Sequence, residues 1–262
     1  MLAFSSLLGN VEGQNIYRIW YDKPASYWEE ALPVGNGRIA AMVFGDPQLE
    51  QIQLNEETVS AGSPYQNYNE EAKAALPEMR RLIFEGKYEE AQNMAATKIL
   101  SQVGNEMPYQ TVGRLNIRYQ DHKKVNNYYR DLDISNAVAV TRYEVDGVEF
   151  TEETFASFTD QLVIRHIKAS KPGTINCELF FNTPMRDPKR SIYGKKGLRL
   201  EGITYGSRYF PGKVHYCADL DVKHKGGKVI TANDTLLSVQ GASELTLYIS
   251  CLLYTSPSPR DS

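Results

Sequence analysis

Cysteine and histidine are scarce: three cysteines and four histidines occur in 262 residues. Cys177, Cys217 and Cys251 are an odd number without metal-ligand spacing, and His122, His166, His215 and His224 form no zinc-type grouping. No metal or other cofactor is therefore expected. Cys177 and Cys217 sit in strand-like patterns and read as buried free thiols, with a Cys177–Cys217 disulfide left open. A strong excess of one charge is also lacking. A net charge of −3 gives no electrostatic reason to expect nucleic acid or an anionic membrane as partner. Beyond the N-terminus no apolar run nears the roughly 20 residues that cross a bilayer, so no membrane span is expected. No Gly-x-Ser-x-Gly, phosphate loop or dinucleotide fingerprint occurs.

What the chain does have is a dominant period of two. Ala139, Thr141, Tyr143 and Val145 share one face of a strand that turns at Asp146-Gly147, and Phe150 returns opposite Tyr143. Asp-Gly between such runs predicts a two-residue type I′ hairpin. Further strands are predicted at 114–119, 161–169, 174–182, 198–204, 215–224 and 235–240. Such spacing indicates a mainly β protein, a large antiparallel sandwich, rather than βαβ units. One helical insertion interrupts it. A helical segment over 70–75 is followed by a second with Pro77 in its first turn, ending near Glu85, and Gly86 is the stop. Leu76, Met79, Leu82 and Ile83, then Tyr88, Ala91, Ala95 and Leu100, read as packing faces. With 42% hydrophobic and 23% charged residues, the chain suits one large core.

The richest segment is Ala31-Leu-Pro-Val-Gly-Asn-Gly-Arg38, then Ile39 to Phe44, then Gln53-Leu-Asn-Glu-Glu-Thr58 and Gly62-Ser-Pro64. Pro33, Gly35 and Gly37 predict a tight turn with Asn36 and Arg38 at its tip. Ile39–Phe44 and Gln51–Leu54 predict two strands, the second ending in the polar cluster Asn55-Glu56-Glu57. On residues alone, these are satisfied by two ordinary hairpin loops, or by a ligand-facing edge.

The run Ile19-Trp-Tyr-Asp-Lys-Pro-Ala-Ser-Tyr-Trp-Glu-Glu-Ala-Leu-Pro-Val-Gly-Asn-Gly-Arg38 resembles the opening of family 95 glycoside hydrolases, the inverting alpha-L-fucosidases. Leu54–Thr58, Gly62–Pro64, Tyr109-Gln110 with Gly113, Asp131–Asp133 and Phe155–Ser157 with Asp160-Gln161 continue the resemblance in order, from about Ile16 to about Ser250. One departure is Val59-Ser60-Ala61-Gly62, where members often carry an aromatic-Ser-Gly run. The resemblance implies the N-terminal supersandwich of such an enzyme, truncated before the helical barrel that carries the catalytic groups. No catalytic residue is expected in this chain, which alone is expected to be inactive. The parent is expected to hydrolyse terminal alpha-L-fucosyl linkages of fucosylated glycans with inversion.

Within that reading the sandwich helps to wall the active-site cleft, and its candidate residues are Asn36, Arg38, Trp28, Asn55 and Glu56. Asn36 offers an amide to sugar hydroxyls, Arg38 a multi-donor fork, and Trp28 a stacking face. A structural role stands beside each, with Arg38 placed to pair with Glu29 or Glu30 and Trp28 to be core. Two rival functions stay open: a stand-alone carbohydrate-binding or interface module, and the sandwich of a different helical-barrel glycosidase or phosphorylase. Residues 1–14 read as a partial signal peptide lacking a basic start, which implies a secreted or periplasmic bacterial protein. The sandwich is expected over 15–251. Residues 252–262, with prolines at alternate positions, resemble a translated sequencing adapter and read as a non-native tail.

Overall fold

The computed structural model describes residues 17–61, 68–101, 108–206 and 212–253. The signal-peptide segment, the Gly62–Pro64 motif and the tail from residue 254 lie outside these residues. In chain order the strands are β1 (Arg18–Tyr21), β2 (Leu32–Gly35), β3 (Ile39–Val43), β4 (Leu49–Glu56), β5 (Gly113–Tyr119), β6 (Asn126–Asp133), β7 (Val138–Val145) and β8 (Val148–Ser157). They continue as β9 (Leu162–Ala169), β10 (Ile175–Asn182), β11 (Arg186–Tyr193), β12 (Gly197–Ile203), β13 (His215–Lys225), β14 (Lys228–Asn233), β15 (Leu236–Ala242) and β16 (Glu244–Leu253). They form two antiparallel sheets. One runs β1-β6-β7-β8-β9-β16-β13-β12-β11 and the other β14-β15-β10-β5-β4-β3-β2. The fold is the expected sandwich.

Alternation builds the core. Ile52 and Leu54 of β4, Leu115 and Ile117 of β5, and Leu179 of β10 point inward and are wholly buried. From the other sheet, Val163, Ile167, Leu245, Leu247 and Ile249 complete the same cluster. Each such side chain contributes about 1.5–3 kcal/mol relative to exposure. The β7–β8 hairpin forms as its sequence dictates: Asp146 (φ 48°) and Gly147 (φ 76°) are both left-handed, and Tyr143 pairs with Phe150. Cys177, Cys217 and Cys251 are buried free thiols, and burial pushes the Cys217 and Cys251 thiols up to about 12.

Several local expectations are corrected. The segments predicted on either side of Pro77 are one helix, α1 (Ala72–Phe84), with Pro77 inside it. Proline there removes one amide donor, the one that would reach the carbonyl of Lys73, which is exposed to water. The second helix, α2 (Tyr88–Met94), continues into a π-helical turn over Ala95–Ile99. Gly86 (φ 75°) does separate the two helices. The predicted packing stripes bury only Leu82 and Ala91, whereas Tyr88 and Leu100 are 69% and 61% exposed. Among the described residues, this short helical excursion has no opposite layer to cover both of its faces. Pro33, predicted in a turn, is in β2, an edge strand where its missing N–H leaves a central ladder intact. β4 also runs on through Asn55 and Glu56, and β16 reaches Leu253, two residues past the boundary predicted at 251.

Candidate functional site

The β2–β3 turn brings four of the five candidate residues to one end of the seven-stranded sheet. Asn36 organises that turn. Its Oδ1 accepts the backbone N–H groups of Arg38 (3.0 Å) and Ile39 (2.9 Å). Its Nδ2 donates to the Ser157 carbonyl (2.8 Å) and to Gln161 Oε1 (3.4 Å). Both amide atoms are thus engaged by the protein, and they tie the turn to the β8–β9 turn of the opposite sheet. Two segments far apart in sequence, 36–38 and 157–161, meet here, and the 76% exposed Phe158 stands beside them. Sequence reasoning missed Phe158; an aromatic in the polar turn between Ser157 and Gln161 was the available signal.

Arg38 is held by Glu56, with its Nε 3.4 Å from Glu56 Oε1. This replaces the pairing with Glu29 or Glu30: those residues lie before β2, whereas Ile39 pairs with Glu56 across the β3–β4 ladder. The Glu56 side chain is buried, and its other oxygen accepts the Thr58 N–H (2.8 Å) and hydroxyl (2.6 Å). A buried carboxylate with three donors is fixed, so it fixes Arg38. The Arg38 side chain remains 39% exposed, and among the described residues Glu56 is the one side chain bonded to its guanidinium. Among the described residues its terminal nitrogens have no partner and can serve a ligand. Glu57 is exposed, so the adjacent acids diverge as strand alternation requires. Asn55 lies half-buried on the outer face beside Gln53 (3.4 Å).

Trp28 stands apart. It opens a 3-10 turn over Trp28–Glu30 and is 48% exposed, so it is not core. Arg38 precedes β3 and Phe44 follows it, and Ala25 N–H bonds the Phe44 carbonyl (2.9 Å). Trp28 is therefore at the opposite end of β3 from Arg38, about 20 Å away at ~3.3 Å per residue. There it borders a cleft of about 620 Å³, between the segment 23–28 and Phe44, Asp46, Gln51 and Arg114.

A third polar group is sealed in the core. Arg165 of β9 bonds Glu50 of β4 (2.6 Å), Glu152 of β8 and the Thr154 hydroxyl (2.6 Å). Tyr119 and Tyr143 donate their hydroxyls to Glu152 (2.7 and 2.8 Å). All five partners of this network around Arg165 are buried, which removes it from contact with a substrate. Burial pushes the Glu50 carboxyl up to about 7 against the pull of Arg165, and burial lowers the pKa of neighbouring His122. Among the described residues no group of three or more His, Cys, Asp or Glu is placed to hold a metal ion, and no helix is long and apolar enough to cross a membrane.

A family model described as glycosyl hydrolase family 65, N-terminal domain, matches residues 19–252. The chain is similar to "Alpha-L-fucosidase 2" of Arabidopsis thaliana, 32% identical over 266 residues that cover 92% of this chain and 31% of that protein. It is also similar to "Probable alpha-fucosidase A" of Aspergillus niger (strain ATCC MYA-4892 / CBS 513.88 / FGSC A1513), 28% identical over 71% of this chain and 24% of that one. The chain thus spans between about a quarter and a third of the length of these curated relatives. Among solved structures, a "Putative kojibiose phosphorylase from human microbiome" superposes with a TM-score of 0.48 at 10% identity, over 90% of this chain and 32% of that one.

Proposed function

The chain belongs to the family described as glycosyl hydrolase family 65, N-terminal domain, and from that premise we propose that it is the non-catalytic N-terminal sandwich of a secreted or periplasmic, inverting alpha-L-fucosidase. The alpha-fucosidase names of the relatives support the activity. Inverting hydrolysis needs an acid and a water-activating group on opposite sides of the scissile bond. In this reading both come from the remainder of the parent enzyme, which also binds the fucosylated glycan. The chain alone is expected to release no aglycone from an aryl alpha-L-fucoside above a matched blank.

The sandwich's part is to wall the cleft with the Arg38 edge. The observation that carries this is the half-exposed guanidinium, oriented by a buried carboxylate, with its terminal donors unpartnered among the described residues. Such a fork gives directed hydrogen bonds to sugar hydroxyls with little freedom left to lose on binding. The test is to place Arg38→Ala and Asn36→Ala in the full-length parent enzyme and to measure kinetics and melting temperature. Loss of a charged donor costs about 1.5–3 kcal/mol. Arg38→Ala should therefore lower kcat/KM about 10- to 150-fold with a modest drop in melting temperature, because buried Glu56 loses its cationic partner but keeps both Thr58 donors. Asn36→Ala should instead leave kinetics nearly unchanged and cost about 1–3 kcal/mol of stability, because its amide bonds are internal. An Arg38→Ala enzyme with unaltered kinetics would remove this edge from the active site.

A further inference from the structure

The cleft at Trp28 is a different place from the Arg38 edge, and it is built. Its aromatic rim, the segment 23–28, is held down from below. Buried Arg130 donates its Nε to the Lys23 carbonyl (2.8 Å) and its Nη1 to the Glu30 carbonyl (2.7 Å), with its guanidinium 4.1 Å from the Tyr21 ring centroid. Glu30 adds a second clamp by accepting the Ser26 N–H (2.8 Å) and pairing with Lys23 (3.7 Å). A loop fixed this way nevertheless leaves Tyr27 and Trp28 57% and 48% exposed. Two rigid aromatic side chains are presented to water at a small entropic cost for a ligand that covers them.

The floor is polar and equally fixed. Arg114 donates to Gln51 Oε1 (2.7 Å) and lies 5.7 Å from the Phe44 ring centroid, which leaves its other N–H groups for a ligand. Asp46 uses Oδ1 on the Gln48 and Leu49 N–H groups (2.8 and 3.2 Å), so Oδ2 is the acceptor left over. Arg114 also borders a smaller neighbouring cleft of about 290 Å³ that continues over Gln53 and Asn182. The trough is therefore longer than one ring.

We propose that this trough on the outer face of the seven-stranded sheet is a carbohydrate-binding site for a neutral oligosaccharide, separate from the Arg38 edge. The volume lies within the roughly 300–1,000 Å³ of small-molecule sites. Flat aromatic faces suit the C–H faces of sugar rings, while Arg, Asp and the side-chain amides suit the hydroxyl edges. The charges do not select an anion: Lys23 is already paired with Glu30, and Asp46 offsets Arg114. The site stands on its own residues; only the choice of a fucosylated probe rests on the function proposed above.

The chain has two tryptophans, so Trp20→Phe leaves Trp28 as the one indole reporter in the 262-residue protein. Titration with 2′-fucosyllactose and with lactose should give a saturable change in its emission at millimolar or tighter affinity. In that background Arg114→Ala should weaken binding at least about tenfold, and Arg38→Ala should leave it unchanged. Trp28→Ala, followed by saturation-transfer NMR, should abolish binding with the melting temperature preserved. Lactose bound as tightly as fucosyllactose supports the trough without a fucose preference, and leaves the fucosidase reading to its own kinetic test. A flat titration with both sugars to about 20 mM overturns the proposal. So does binding that survives both Trp28→Ala and Arg114→Ala, or that is lost with Arg38→Ala.

Discussion

Replacing Arg165 with alanine is expected to remove about 3–5 kcal/mol of stability, the cost of leaving buried charges without their partner. The guanidinium sits between Glu50 and Glu152 at full burial. Its loss leaves two carboxylates facing each other from opposite sheets, and the Thr154 hydroxyl loses its donor as well. Urea denaturation of the 262-residue chain measures the loss directly. A double-mutant cycle then identifies its source. If like-charge repulsion dominates, adding Glu50→Gln to Arg165→Ala should restore part of the stability, whereas Glu50→Gln alone should not stabilise above pH 7 by the same amount. A near-zero cost for Arg165→Ala would show that water reaches the cluster. The network is no optimum, since Arg165 Nε is buried without a partner. It joins the two sheets at one register, which an apolar trio would not enforce.

The same cluster marks the limit of what sequence reveals. Alternation predicts the β7–β8 hairpin down to its Tyr143–Phe150 pair, because each apolar residue there has one buried face and a left-handed turn to fix register. Edge strands lack that signal. β11, with Arg186, Pro188 and Lys189, and β14, ending in Thr231, Ala232 and Asn233, are nearly all exposed and form because a neighbour offers a ladder. Glu50, Glu152 and Arg165 follow the inward alternation of β4, β8 and β9, but charge in a strand reads as a solvated face until the partner strands are known. The helical excursion fails in the opposite direction. Its apolar periodicity predicts packing, but among the described residues no layer covers Tyr88 or Leu100.

The site shows a related limit. Trp28, Asn36 and Arg38 are close in sequence and read as one ligand edge. Antiparallel pairing of Leu32 with Val43 and Gly35 with Ala40 puts them at opposite ends of a strand. Proximity along the chain is undone by a single turn. The Arg38–Glu56 pair was not legible: nearness along the chain pointed to Glu29 or Glu30, and the actual partner depends on β4 continuing through Glu56 as a strand.

Stability should also fall as pH rises through neutrality, by an amount that Glu50→Gln abolishes. Burial raises the Glu50 carboxyl from 4.5 to about 7. The folded protein therefore holds a proton that the unfolded chain has released above pH 4.5. That preference stabilises the fold fully below about pH 4.5 and is lost as pH passes 7. A shift of this size corresponds to something on the order of 3 kcal/mol between pH 5 and 8. Arg165 opposes the shift, while Glu152 across the cluster reinforces it, so the proton compensates one carboxylate too many around one guanidinium. Gly45 and Gln51 N–H groups also bond Glu50 Oε1 (both 2.9 Å) and resist protonation. Burial outweighs them because the side chain has no access to water. The measurement is the difference in unfolding free energy between wild type and Glu50→Gln at pH 5, 6, 7 and 8, in which every other titrating group cancels. Wild type should lose ground to the variant from pH 5 to about 7 and level off by pH 8. Parallel curves would mean that Glu50 stays ionised throughout, its three donors outweighing the loss of water.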